Sequence, residues 1–352
     1  MWISPETREL QYSGRIDFDD KKAPVLVYAC SSIRLVFCGT AIEVELENHR
    51  SCWENEMGYF LDGKQGKFAL TDEEGRRSYR IAEGLKDEKH ELLLFKRMDS
   101  CHTVTFYGFQ VEGKKVTLYE PPEKPVRRIE FFGDSVSCGE VSEALDHIGK
   151  EDPVHHGQYS NSWYSYAWMT ARKLNAEIHD TSQGGIALLD GTGWFAAPDY
   201  KGMESCYDKI EYHPDLGEGK QWDFSKFRPQ VVVIAIGQND SHPYDYMAEK
   251  PEGKEATRWK EHYFSFVKKI AEQYPKAQII LTTTILCHDK NWDLAIGEVA
   301  KRIGEKRIHH FLYTKNGCGT PGHIRIPEAE EMAEELSTYI ESLGEEIWKA
   351  EE

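Results

Sequence analysis

Ser135 closes the triplet Gly133-Asp134-Ser135, directly after the strand candidate 128–132. A buried strand there would deliver the hydroxyl to the carboxyl edge of a sheet, where open α/β folds hold their ligands, so Ser135 is a candidate nucleophile. The triplet alone reads equally well as a turn. A second candidate, Asn239 in Ile236-Gly237-Gln238-Asn239-Asp240, follows the apolar stretch 231–236 and would come to the same edge. Between them, Thr181-Ser182-Gln183-Gly184-Gly185-Ile186 has paired glycines that let backbone N–H groups approach a ligand closely, although such pairs are common in loops. His323, in Pro321-Gly322-His323-Ile324, is the fourth candidate, and a loop histidine is more often a surface residue than a base.

Two kinds of pattern must position these residues. Over the first 120 residues apolar and polar positions alternate, most cleanly at Ile42-Glu43-Val44-Glu45-Leu46-Glu47, with further strand candidates at 25–28, 33–37, 59–61, 67–70, 79–81, 91–95 and 104–111. Many short strands and no long helical pattern predict a β-sandwich at 1–120. Glu120-Pro121-Pro122-Glu123-Lys124-Pro125 can continue neither ladder nor helix, and it places a linker at 121–126. From 127 to 352 buried strands (128–132, 231–236, 278–284, 308–313) alternate with helical patterns (163–174, 257–273, 292–303, 327–343), which predicts a parallel sheet covered on both faces. The fold class is therefore α/β, with an N-terminal β-sandwich ahead of an α/β/α domain.

Serine, glycine, asparagine and histidine thus fall in order at 135, 185, 239 and 323, and this order resembles the SGNH hydrolase superfamily. The β-rich first domain, with His90-Glu91-Leu92-Leu93-Leu94-Phe95 and Phe106-Tyr107-Gly108-Phe109, joins through prolines to Ile129-Glu130-Phe131-Phe132-Gly133-Asp134-Ser135-Val136-Ser137-Cys138-Gly139. Together with Trp222-Asp223-Phe224-Ser225-Lys226-Phe227-Arg228-Pro229, these blocks look like the second carbohydrate esterase family, over residues 14–345. The resemblance implies a jelly-roll-like sandwich, an SGNH domain, and removal of O-acetyl groups from hemicellulose sugars of xylan or mannan type, frequently at the primary 6-hydroxyl. It makes Ser135 the nucleophile and His323 the general base. The N–H groups of Ser135 and Gly185 and the amide of Asn239 become the oxyanion hole, with Gly184 the neighbouring alternative. The chemistry is consistent: an imidazole with a pKa near about 6.5 can take the serine proton at neutral pH, and aimed donors stabilise the developing oxyanion.

In most SGNH enzymes an aspartate two or three residues before the histidine orients it, but here those positions are Thr320 and Pro321. The expectation is a Ser–His dyad in which a main-chain carbonyl of its own loop orients His323 and no carboxylate reaches its Nδ1. The competing expectation is Asp289 or Asp293. Asp134 is read as fixing its turn, Trp194 as a sugar-stacking candidate, and the sandwich as a wall of the cleft more than a separate binding module.

The 60 acidic against 43 basic residues give a net charge of −17, which disfavours nucleic acid and anionic membrane surfaces as partners. No run reaches the length of a membrane span, and the N-terminal residues lack a secretion pattern, so the expected location is the cytoplasm. Eight scattered cysteines without zinc-site spacing read mostly as buried thiols. No metal or cofactor is implied; the expected partner is an acetylated oligosaccharide, and association into a homo-oligomer stays open. The alternatives are an SGNH esterase for longer acyl chains and a sugar-binding protein that has lost turnover.

Overall fold

The computed structural model describes residues 1–349. The alternation in the first domain resolves into two antiparallel six-stranded sheets. One is built on the long pair Ala41–Arg50 and His102–Glu112, the other on Ser32–Gly39 and Glu88–Lys96. Every second side chain of Ala41–Arg50 turns inward, and Ile42, Val44 and Leu46 meet Leu35, Phe37, Leu92 and Leu94 of the opposite sheet in a common core. Residues 120–125, with three of the prolines, carry no regular structure.

The second domain holds a parallel sheet with strand order Ala176–Ser182, Arg127–Gly133, Val231–Ala235, Gln278–Thr282, Ile308–His310. Alternate residues feed two cores. Phe131, Val233 and Ile280 pack under helices Tyr166–Lys173 and Ile326–Ser342, while Phe132, Ile234 and Leu281 pack under Lys254–Gln273 and, through Ile296 and Val299, under Lys290–Ile303. The chain leaves Arg127–Gly133 for a strand on one side and then crosses to Val231–Ala235 on the other, so the order reverses at Arg127–Gly133, the second strand of the five. A crevice outside its carboxyl end follows from that reversal.

Strand Ala176–Ser182 lies outside the expected set. Its Glu177, His179 and Asp180 are all buried, which breaks the apolar pattern, because the partners are supplied from elsewhere. Ser13 Oγ donates to Glu177 at 3.3 Å, Cys30 Sγ to Asp180 at 3.4 Å, and the His179 ring stacks on Phe227 with centroids 3.5 Å apart. The helix expected at 163–174 divides into a single turn, Ser162–Tyr164, and the helix Tyr166–Lys173 capped by Ser165. The cysteines also differ from expectation: all eight are free, but only Cys30, Cys101, Cys138 and Cys206 are buried, and Cys52, Cys287 and Cys318 are exposed.

The two domains are joined by a buried ion pair. Arg15 of the sandwich donates from Nε to Glu130 Oε1 at 3.1 Å, and from Nη1 to the carbonyl of Tyr207 at 2.7 Å. Glu130 also accepts from Thr181 Oγ1 at 2.9 Å and Tyr274 OH at 2.5 Å, so its charge is fully solvated by protein.

Candidate active site

A Cβ on Gly133 would lie 2.1 Å from Ser137 Oγ, so the turn that ends strand Arg127–Gly133 needs a residue without a side chain. Asp134 then caps the short helix Ser135–Cys138 by accepting the Val136 N–H at 3.0 Å, and Ser135 becomes its first residue. The N–H of a first helical residue is one the helix itself does not bond. Asp134 also accepts from Gln238 Nε2 at 2.7 Å and from Asn239 Nδ2 at 3.2 Å, tying the ends of two neighbouring strands together. It makes no bond to His323, in keeping with a turn-fixing carboxylate.

Asn239 follows Gly237, whose φ of 138° turns the chain out of Val231–Ala235. Its Nδ2 donates to the carbonyl of Ile186 at 3.0 Å as well as to Asp134. The glycine pair lies on the loop after Ser182. Gly184 donates its N–H to Asp99 Oδ2 of the sandwich at 2.6 Å, whereas Gly185, at φ 70°, donates to no group among the described residues.

His323 closes the group: its Nε2 is 2.8 Å from Ser135 Oγ. The structure thus brings Ser135, Gly185, Asn239 and His323 to one edge of the sheet. The expected dyad, however, is overturned. Nδ1 of His323 lies 2.6 Å from Asp152 Oδ2, a carboxylate and not a main-chain carbonyl. Since a carboxylate can only accept, Nδ1 carries the proton and Nε2 is left to accept from the serine. Asp152 Oδ1 takes the backbone N–H of His323 at 2.9 Å and Nη2 of the buried Arg325 at 2.8 Å. Arg325 reaches back to the carbonyls of Ala144 and His323, binding both loops into one unit. A Cβ on Gly322 would fall 2.7 Å from Asp152 Oδ1, so this glycine is what lets the loops close. The two other carboxylates considered are occupied elsewhere: Asp289 caps helix Lys290–Ile303, and Asp293 bonds His288 Nε2 at 3.0 Å and Thr283 Oγ1 at 2.6 Å.

The matching family is described as "Carbohydrate esterase 2 N-terminal", over residues 12–122. Over 343 residues the chain is 29% identical to cellulase/esterase CelE of Acetivibrio thermocellus, covering 94% of this chain and 39% of that protein's length. It is 24% identical over 348 residues to an acetylxylan esterase/glucomannan deacetylase of Cellvibrio japonicus, covering 97% and 90%. A family two carbohydrate esterase from Clostridium thermocellum, solved in complex with cellohexaose, superposes with a TM-score of 0.79 at 27% identity, over 97% of this chain and 100% of that one. Over nearly its whole length the chain is thus similar to family two carbohydrate esterases.

Ser135 opens on a cavity of about 550 Å³, within the usual size of small-ligand sites. The sandwich supplies one wall of it through Cys52, Trp53 and Asp99, the second domain the other through Trp194, Phe195 and the Ser135 edge. Trp194 is 61% exposed and held face to face with His242, ring centroids 3.4 Å apart. The field in the cavity is set by carboxylates. Burial alone would lower the His323 pKa, but Glu140 and the Asp152 hydrogen bond outweigh it and the net shift is upward. Burial would raise Asp152, yet the bonds from His323 and Arg325 hold it well below the usual carboxylate range. Asp134, buried, is pushed up to about 6 against the bonds it accepts. Among the described residues no helix is long and apolar enough to cross a membrane.

Asp152 was not legible as the orienting acid, because it is 171 positions from the histidine it serves and no local pattern marks it.

Proposed function

We propose that the protein is an O-acetyl esterase of hemicellulose-derived oligosaccharides of xylan, mannan or glucomannan type, working by a Ser135–His323–Asp152 relay. The observation that carries this reading is the unbroken hydrogen-bond chain from Asp152 through His323 to Ser135, with Nε2 positioned 2.8 Å from the hydroxyl. Ser135 Oγ attacks the acetyl carbonyl as its proton passes to His323 Nε2. Asp152 holds the ring in the productive tautomer and stabilises the imidazolium. The former carbonyl oxygen, now negative, meets the N–H groups of Ser135 and Gly185. Asn239 Nδ2 completes the set by yielding to it the hydrogen now shared with Asp134 at 3.2 Å. Gly184 is the poorer donor, since its N–H is engaged by Asp99. Collapse of the intermediate passes the proton from Nε2 to the sugar oxygen and leaves an acetyl-serine, which water then cleaves by the same base.

A cavity with an exposed tryptophan face and a rim of acceptors suits a neutral, polyhydroxylated ligand. The exposed thiols Cys52, Cys287 and Cys318 fit a reducing cytoplasm, with substrates already imported. Time-resolved NMR of an acetylated manno- or xylo-oligosaccharide tests the reading by reporting release of acetate and the position attacked. Sugar binding without acetate release overturns it, and faster cleavage of 4-nitrophenyl octanoate than of the acetate would point to a longer acyl chain.

A further inference from the structure

The hairpin loop 97–101 joins strands Glu88–Lys96 and His102–Glu112 of the sandwich, and it lies against the second domain. Ser162 donates its N–H to the Arg97 carbonyl at 2.8 Å and its Oγ to the Lys96 carbonyl at 2.7 Å, while Arg97 Nη2 reaches Glu143 at 2.7 Å. Lys96 is fully buried, and among the described residues its ammonium bonds no carboxylate: it donates to the carbonyls of Met98, at 3.0 Å, and of Asp99. Burial lowers its pKa to about 8. A buried cation set on two successive carbonyls fixes the path of the loop that carries Asp99. Asp99 is 3% exposed, and both of its oxygens are taken by protein donors: Oδ1 by Cys101 N at 2.9 Å, Oδ2 by Gly184 N at 2.6 Å and by Gln183 Nε2 at 2.9 Å. Two of these three bonds go to the loop after strand Ala176–Ser182.

That loop carries Gly185, whose unengaged N–H is the one assigned to the oxyanion hole. Its direction is set where two peptide planes meet at Gly184, and a glycine has the widest rotational freedom of any residue. No side chain can restrict the chain there, because a Cβ on Gly184 would lie 2.6 Å from Asp99 Oδ2 and 2.8 Å from Glu140 Oε2. The restraint comes from bonds on either side. Before the Gly184 Cα, Asp99 holds the N–H; beyond Gly185, its carbonyl accepts from Trp194 N at 2.8 Å and Phe195 N at 3.2 Å. Gln183 Oε1 accepts from Tyr212 OH at 2.6 Å, so the amide that meets Asp99 is itself held in place. We propose that Asp99, fixed from behind by Lys96, is a positioning residue of the oxyanion hole: through the Gly184 N–H it aims that of Gly185 at the reacting oxygen. This rests on the acetyl-esterase reading above. The sandwich thereby supplies part of the alignment of the reacting groups as well as a wall of their cavity.

The test is kcat and KM for 4-nitrophenyl acetate, an ester without a sugar, in variants whose melting temperature stays above that of the assay. Asp99→Ala should lower kcat by about 10²-fold, the cost of a donor misplaced by about an ångström, while KM moves by less than about threefold. Asp99→Asn keeps an oxygen that can accept from Gly184 N and should recover at least about fivefold of that loss. Should the alanine variant not fold, Asp99→Ser, which leaves room for a water between the two freed donors, takes its place with the same expectation. A kcat within about threefold of wild type in that small variant overturns the inference, as does a loss carried by KM alone, or one as deep in Asp99→Asn as in the small variant. In each of those cases the esterase reading stands. A wild-type protein that releases no acetate, from this ester or from an acetylated oligosaccharide, overturns that reading and the inference with it.

Discussion

The two halves of the relay are built in different ways. Ser135 is set by a consecutive run: the strand ends at a glycine with no room for a side chain, Asp134 caps the next turn, and the serine is the first residue of the helix. His323 and Asp152 are set by the meeting of two loops, locked by Gly322 and by Arg325, which is fully buried. Local sequence is enough to place Ser135, whereas His323 is aimed only after the chain has folded.

The contrast can be broken most severely at the local end. Ser135→Ala should lower kcat by at least about 10⁴-fold while leaving the melting temperature nearly unchanged, since one small polar atom is removed; acetate release close to wild type would place the nucleophile elsewhere. At the tertiary end, Asp152→Asn should cost about 10²–10⁴-fold in kcat, because the amide can hold the wrong tautomer. A loss below about tenfold would mean that a carbonyl serves as well, the dyad after all. Asn239→Ala, on the strand-borne side, should cost about 10²–10³-fold, seen in kcat more than in KM.

A subtler probe is pH. The imidazole must be neutral to accept the serine proton, and its pKa is raised in the folded protein, so the acid limb of kcat/KM should lie above the unperturbed value of about 6.5. Activity is lost as pH falls through that limb. Removing the carboxylate in Asp152→Asn should move the limb to lower pH, and an unmoved limb would separate Asp152 from the base. The smallest effect is expected at Trp194→Ala, where loss of a stacking face should raise KM for an acetylated oligosaccharide by about 2–10-fold; an unchanged KM would remove Trp194 from sugar binding.

What could be read beforehand follows the same division. The sheet strands with continuous apolar runs, such as Val231–Ala235, were legible because both faces are covered by the domain's own helices. Ala176–Ser182 was not, because its buried polar side chains are matched by Ser13, Cys30 and Phe227 and the pattern shows only the mismatch. Ser135 and Asn239 stand next to the ends of strands that could be read and share that legibility, whereas the glycine pair follows Ala176–Ser182 and was marked only by its own residues. The carboxylate that orients His323 was sought within its own loop or after a neighbouring strand. In the fold, the space beside Nδ1 is filled by a segment from early in the same domain, reached only through the closure at Gly322.

The Arg15–Glu130 pair bears on how the molecule can be taken apart. A cut at residues 120–125 would sever only irregular backbone, yet the fragment beginning at strand Arg127–Gly133 would keep Glu130 in its core without its guanidinium. Stranding a buried charge in this way costs about 3–5 kcal/mol, a large share of what holds a typical domain folded. The chain should therefore melt as one cooperative unit, and a sandwich exchanged between relatives would have to bring its arginine with it.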